Sequence, residues 1–140
     1  MHKKIRVLLL CVGLSCVAVT AQAQDDVSLK SIMRGMLANM ESIVEGIMVE
    51  DYPLISAKAE GIIYHGGQSP AKRLALSREL GIEVMTFKMF DDSVRRYAKM
   101  VKKAALNRDR KGVLEAYAKL TQACTSCHSS YRERIRNINK

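Results

Sequence analysis

Near its end the chain carries two cysteines and a histidine at the spacing used for covalent haem attachment. They lie in the run Cys124-Thr125-Ser126-Cys127-His128. In such a C-x-x-C-H motif, each thiol adds to one haem vinyl group and the imidazole becomes an axial ligand of the iron. On a helix these three residues fall at i, i+3 and i+4, so they share one face. The motif therefore predicts one covalently bound haem c.

Two other kinds of site also use closely spaced cysteines. A structural zinc site needs a second pair of ligands, and the only other cysteines, Cys11 and Cys16, lie near the N-terminus. A thioredoxin-like redox pair belongs beside a strand-helix unit, for which the sequence gives no pattern. Haem attachment is the interpretation that the motif favours.

Residues 1–23 have the composition of a secretory signal peptide. A basic stretch at 2–6 precedes an apolar stretch at 7–19, and Ala-Gln-Ala at 21–23 offers a cleavage site. We expect the mature chain to begin at Gln24. The apolar stretch is short for a membrane span and no other segment approaches the required length, so no membrane span is expected.

Cleavage would change the cysteine count. Cys11 and Cys16 leave with the signal peptide, so the mature domain, residues 24–140, keeps only the two cysteines of the motif. A lipoprotein would need a small-residue box before Cys11 or Cys16, which Gly13-Leu14-Ser15 matches poorly. Because bacteria attach c-type haem after export, the signal peptide and the motif together predict a periplasmic protein.

The chain is basic before and after cleavage. The formal charge of +9 falls to +6 for the 117 residues that remain when Lys3, Lys4 and Arg6 are removed. A positive surface suits docking to an acidic redox partner, and it also keeps a protein in solution. An exported chain without a basic-aromatic groove pattern is not expected to bind nucleic acid.

Apolar residues recur at helical spacing along the mature chain, which predicts an all-α fold of one domain. The first helix is predicted from about 27 to 50, and the second follows Asp51 and Pro53 and runs to about Tyr64. Gly66-Gly67 opens a loop, and a short amphipathic segment then ends at Gly81. Two further long helices are separated by a turn at 107–109. The residues predicted to face inward in the three longest helices are Leu29, Ile32, Met33, Met36, Met40, Ile43, Ile47 and Met48; Val84, Phe87, Phe90, Val94, Tyr97, Ala98, Val101 and Ala105; and Val113, Tyr117, Leu120, Cys124, Cys127, Tyr131 and Ile135.

Four such helices with short connections predict an antiparallel four-helix bundle, whose interior is a usual place for a cofactor. The haem would then be bound covalently near the C-terminus and would occupy part of the core. The chain has no tryptophan and few aromatic residues, which is compatible with a porphyrin supplying buried apolar area.

The end of the chain resembles the cytochrome c-prime family. The run from Cys124 to Arg132 matches that family's C-x-x-C-H-x-x-[YF]-R ending, and the helix pattern extends the resemblance over the mature length. The resemblance implies thioether bonds from Cys124 and Cys127 and a proximal iron ligand at His128. It places Arg132 one turn beyond His128, within reach of the proximal pocket or a haem propionate, although a surface arginine is the alternative. Many relatives dimerise, so a homodimer is also compatible with the resemblance.

The sixth iron position divides this family. High-spin members leave it open behind an apolar side chain and bind small gases such as nitric oxide, whereas low-spin members fill it with a first-helix methionine and transfer electrons. Here the first helix contains Met33, Met36 and the pair Asn39-Met40. It resembles low-spin relatives, in which a methionine ligand is followed by an Asn-Met pair at the same offset, and the resemblance implies that Met33 is the ligand. Met36 is the second choice, and methionines that only fill the core are the alternative. His65 is a rival ligand beside a helix end.

The sequence thus predicts an electron carrier rather than an enzyme, with haem iron held by His128 and Met33. The first alternative is a five-coordinate cytochrome that binds or senses small gases. The second is a helical protein without haem, in which Cys124 and Cys127 form a disulfide or a redox switch.

Overall fold

The computed structural model describes residues 28–138, and these residues are all-helical, without a β-strand in that range. The signal peptide predicted at 1–23 and the expected mature N-terminus at Gln24 lie outside the described residues. The five α-helices are α1 (Leu29–Met48), α2 (Tyr52–Ile63), α3 (Pro70–Leu80), α4 (Val84–Leu106) and α5 (Arg110–Ile138), and a 3₁₀ turn at Gly81–Glu83 joins α3 to α4. The predicted all-α fold is confirmed.

Side chains cap the N-termini of α1 and α2, and a glycine ends α3. The Oδ1 atom of Asp51 accepts a hydrogen bond of 2.9 Å from the backbone N–H of Leu54, as expected of an N-cap residue. Ser28 does the same at the start of α1, where its Oγ accepts from Ser31 at 3.1 Å. Gly81 ends α3 with a φ of +56°, a conformation that favours glycine.

Four helices, α1, α2, α4 and α5, pack into a bundle around one large apolar cluster, which we call the main core. Its buried residues are Ile32, Met36, Ile43, Ile55, Ala59, Ile62, Ile63, Val94, Ala98, Val101, Ala105, Val113, Ala116, Leu120 and Ala123. Most of the predicted inward-facing residues are buried or half-buried. The expectation for Met48 is wrong, because it is 75% exposed. It lies about 100° around the helix from the inward-facing Ile47, on the side of the exposed Leu37 and Val44.

A second, smaller cluster joins α3, the start of α4 and the end of α5. Its buried residues are Leu76, Leu80 and Tyr131, and the partly buried Val84, Phe87, Phe90, Cys127 and Ile135 pack against them. We call it the small core. Arg134 reinforces it from α5, since its guanidinium donates to Glu83 at 2.8 Å and also pairs with Glu79. The short segment predicted between the loop and Gly81 is thus the helix α3, which packs against α4 and α5.

The first and last helices of the bundle in chain order, α1 and α5, touch each other at few positions. α4 packs closely against both α2 and α5, and α1 packs against α2, but α1 and α5 stay largely apart. One contact that bridges them is the hydroxyl of Tyr117, which donates to the backbone carbonyl of Met40 at 3.3 Å. The space between α1 and α5 becomes a cavity. No helix within residues 28–138 is both long and apolar enough to cross a membrane.

Candidate functional site

A cavity of about 830 Å³ lies between the main core and the small core. Its walls come from α1, α4 and α5, with contributions from α3 and from the loop after α2. This volume falls within the range of pockets that bind small molecules and cofactors. Most of the side chains that line it are apolar, including Ile32, Leu76, Phe87, Phe90 and Val94.

The α5 wall of the cavity carries the C-x-x-C-H motif. Cys124, Cys127 and His128 all line the cavity, as their i, i+3, i+4 spacing on one helix requires. Both cysteines are free and half-buried, with Cys124 packed against the main core and Cys127 against the small core. His128 is exposed to solvent. The motif therefore spans the boundary between the two cores.

Both thiols are held in their protonated form at neutral pH. Burial, together with the nearby Cys124 and Asp91, raises the pKa of Cys127 to about 11. Burial also raises the pKa of Cys124. Since the thiolate is the species that attacks disulfides and binds metal ions, these cysteines have the character of buried thiols rather than of an activated redox pair.

The α1 wall presents thioether side chains to the same cavity. Met33, Met36 and Met40 all line it. Met36 is 8% exposed and belongs to the main core, whereas Met33 and Met40 are half-buried and pack against that core. The structure thus places both candidate methionine ligands, Met33 and Met36, in the cavity that also contains His128.

Asn39, which precedes Met40 in the first-helix pair, serves the packing of α1 on α2. A β-carbon added at Gly61 would lie 2.7 Å from Nδ2 of Asn39, so the Asn39 amide lies directly over this glycine. A glycine at this position lets the two helices approach closely. This crossing fixes the part of α1 that carries the methionines.

His65 lines the cavity, but both of its ring nitrogens already face oxygen atoms. Nε2 lies 2.9 Å from Oδ1 of Asp91, and Nδ1 lies 3.0 Å from the carbonyl oxygen of Gly66. The side chain is 8% exposed. Binding iron would cost His65 one of these contacts, which argues against it as the rival ligand.

Asp91 and Arg95 are site residues that the sequence analysis missed. Arg95 Nε donates to Oδ2 of Asp91 at 2.8 Å, and its Nη1 donates to the carbonyl of Ile63 at the end of α2. Burial of Asp91 disfavours its charged form, but the hydrogen bonds from His65 and Arg95 outweigh this effect and lower its pKa from 3.8 to about 2. Asp91 is therefore ionised at physiological pH. His65, Asp91 and Arg95, which all line the cavity, are called the charged trio below.

The sequence contains a signal for the charged trio, but an ambiguous one. Asp91 and Arg95 are spaced i, i+4, and so are Asp92 and Arg96, which are exposed. The two pairs differ only in how far around α4 they lie from its buried apolar face. Arg73, on the first turn of α3, is a further cavity residue, and no feature of the sequence distinguishes it from the other arginines.

Arg132, which the resemblance assigns to the haem pocket, is exposed and is not among the residues that line the cavity. Two residues further along α5, Arg134 makes the ion pairs with α3 and the 3₁₀ turn. Within residues 28–138 no three His, Cys, Asp or Glu side chains are grouped so as to hold a bare metal ion.

The chain was compared with protein-family models, curated proteins and solved structures, and none of them matches it.

Proposed function

We propose that this chain is a periplasmic c-type cytochrome that carries one covalent haem and transfers single electrons. The observation that supports this most strongly is the convergence of the motif and the methionines on one cavity. Two thiols and an imidazole from α5 and thioethers from α1 all line the same largely apolar space. A disulfide or zinc protein has no need of such a volume beside its cysteines.

The residues of the cavity fit a haem in chemistry as well as in size. Cys124 and Cys127 would hold it through thioether bonds, His128 would bind the iron from α5, and Met33 or Met36 would bind it from α1. The apolar side chains of both cores would cover the porphyrin and exclude water. When bound, the haem supplies a one-electron change at iron, and a methionine ligand favours the ferrous state and so raises the potential.

The same resemblance underlies the proposed architecture and partners. We propose an antiparallel course for the four long helices. Two contacts support it for α1 and α5: Arg110, at the start of α5, pairs with Glu50 just beyond the end of α1 at 3.7 Å, and Tyr117, further along α5, reaches Met40, earlier in α1. The excess of basic residues suits an acidic redox protein as electron donor or acceptor. A homodimer of the kind common in the cytochrome c-prime family belongs to the same proposal.

The first experiment asks whether haem is present and how it is attached. The mature protein, exported in a host that matures c-type cytochromes, should give a pyridine haemochrome spectrum of c type and keep its haem through denaturation and acid extraction. A purified protein without haem would overturn the proposal and favour the redox-active cysteine pair. In haem-free protein Cys124 and Cys127 should react slowly with alkylating reagents near neutral pH, because burial raises the pKa of both thiols.

The second experiment separates electron transfer from gas binding. A weak far-red band in the ferric spectrum indicates a bond between methionine sulfur and iron, and Met33→Ala should abolish it. Met36→Ala serves as the matched control and should keep the band while lowering stability, because Met36 is the more buried of the two. A high-spin spectrum in the unmodified protein would instead support a five-coordinate cytochrome that binds gases such as nitric oxide.

A further inference from the structure

The charged side chains of the cavity are concentrated on α3 and α4. Four charged side chains line it from these two helices: Arg73, Lys88, Asp91 and Arg95. The only charged side chain that lines it from α1 is Glu41. The cavity thus has one polar wall that the haem motif and the methionines do not explain.

Arg95 is the most firmly positioned cation of this wall. Its two contacts, to the Asp91 carboxylate and to the Ile63 carbonyl, tie α4 to the end of α2 and fix the plane of the guanidinium. An arginine has five N–H donors, and these contacts use two of them. Lys88, by comparison, forms an exposed ion pair with Asp92 at 2.6 Å.

This wall carries more positive than negative charge. Three cations line it, Arg73, Lys88 and Arg95, against the single carboxylate of Asp91. Both ring nitrogens of His65 lie at hydrogen-bond distance from oxygen atoms, one of them Oδ1 of Asp91. The wall therefore has a net attraction for an anion.

We propose that Arg95, assisted by Arg73, binds the carboxylate groups of the ligand in this cavity, and that Asp91 and His65 are positioning residues for Arg95. The inference rests on the proposed function, which makes these carboxylates the two propionates of haem. A carboxylate that leaves water with an apolar ring needs a charged partner, and the planar fork of arginine matches its two oxygens. Arg132, exposed and outside the cavity lining, is not needed for this role.

The test compares Arg95→Leu with Arg96→Leu in the haem-loaded protein. Arg96 is the adjacent residue, is exposed, and lies with its Cζ 5.0 Å from the ring centre of Tyr97, away from the residues that line the cavity. Two readouts report on the carboxylates themselves: the propionate bending mode in resonance Raman spectra and the pH dependence of the reduction potential. A merely structural role for Arg95 would alter stability but neither of these.

In Arg95→Leu we expect the propionate mode to shift. We also expect the pH at which the potential begins to change to rise by about 1 to 3 units, because the carboxylate has lost its cation. Arg96→Leu should match the unmodified protein in both readouts. Arg95→Lys keeps the charge without the fork, so it should restore most of the pH profile while the Raman mode remains altered.

Arg73→Leu covers the case in which Arg95→Leu fails to fold, since Arg73 is exposed on α3 and its loss should be tolerated. It should shift both readouts in the same direction by a smaller amount. Unchanged readouts in Arg95→Leu, or in both Arg95→Lys and Arg73→Leu when Arg95→Leu does not fold, would overturn the inference and leave the proposed function intact. A protein purified without haem would overturn the proposed function instead.

Discussion

The main core and the small core differ in size and in side-chain chemistry. The main core buries fifteen aliphatic, alanine and methionine residues from four helices, and Ile43, Ile62 and Leu120 are completely inaccessible to solvent. The small core buries three residues and depends on aromatic contacts, with Tyr131 edge-on to Phe87 at 5.5 Å and to Phe90 at 6.0 Å between ring centres. Both cores border the cavity, but the small core has fewer buried residues of its own, so an occupant of the cavity would add proportionally more contacts to it.

The C-x-x-C-H motif contacts both cores. Cys124 packs against the main core and Cys127 against the small core. Covalent attachment at both cysteines would therefore tie the stable part of the bundle to the part that has fewer contacts. The comparison predicts that ligand-free protein is stabilised mainly by the main core, and that ligand binding stabilises the small core more.

The largest expected effect is that of removing a fully buried leucine from the main core. Leu120→Ala should lower the free energy of unfolding by about 2 to 5 kcal/mol, measured by urea denaturation. Leu80→Ala in the small core is the matched variant, since Leu80 is also almost completely buried. We expect it to cost nearer 2 kcal/mol in haem-free protein and more in haem-loaded protein. Equal costs in the two forms would contradict the proposed dependence of the small core on the ligand.

A glycine-to-alanine pair in α1 tests how tightly that helix is held at its two ends. In Gly46→Ala the new β-carbon would lie 2.8 Å from Cγ1 of Ile55 and 3.2 Å from the carbonyl oxygen of Asp51, so α1 and α2 would have to separate. We expect a loss of about 1 to 3 kcal/mol in the free energy of unfolding.

Gly35→Ala in the same helix meets no atom within 4 Å. It should increase the free energy of unfolding by about 0.5 to 1 kcal/mol, because alanine is the better helix former. A loss of stability in Gly35→Ala would show that α1 packs more closely beside the cavity than the structure indicates.

The charged trio predicts a specific loss of stability in acid. The pKa of Asp91 in the folded protein, about 2, lies below its ordinary value of 3.8. The ionised group therefore contributes stability that is complete above pH 3.8 and is lost as the pH falls through about 2. Because a third of the Asp91 side chain is exposed, we expect this contribution to be about 1 to 2 kcal/mol after solvent screening.

Asp91→Asn should flatten the acid limb of the stability profile, measured by thermal unfolding between pH 4 and 2. Asp92→Asn is the control, since Asp92 forms only the exposed pair with Lys88 and such pairs contribute little. If the two variants had the same acid limb, the charged trio would not be a special source of stability at the boundary between the cores.

The sequence predicted the main core better than the small core, and the reason is physical. Val94, Ala98, Val101 and Ala105 repeat at intervals of three and four, so the inner face of α4 follows from helical periodicity alone. In α3 only Leu76 and Leu80 are buried, which is too few to define a face. Its position depends on contacts with residues more than fifty positions away, among them Tyr131.

The candidate site also has one part that the sequence predicts and another that only the fold reveals. The spacing of Cys124, Cys127 and His128 is a local property, and one helical face was enough to bring them together. Asp91 and Arg95, by contrast, are joined by His65, which follows α2 in the chain, and this contact depends on how α2 packs against α4. Their alternatives one residue along, Asp92 and Arg96, have the same spacing in the sequence and a different environment in the fold.

The smallest expected effect separates two arginines near the end of α5. Arg134→Ala removes the hydrogen bond to Glu83 and the contacts with Glu79. Because the pairs are largely exposed, it should lower the free energy of unfolding by only about 0.5 to 1 kcal/mol. Arg132→Ala, at an exposed position, should change that free energy by less than about 0.5 kcal/mol. The two arginines lie on the same helix but face different directions, so the difference between the variants measures what the ion pairs of Arg134 contribute to the small core.

The same two variants also test the position of Arg132. If Arg132→Ala changed the ferric spectrum while Arg134→Ala did not, Arg132 would belong to the haem pocket, as the family resemblance implies, and the assignment of the carboxylates to Arg95 would have to be revised.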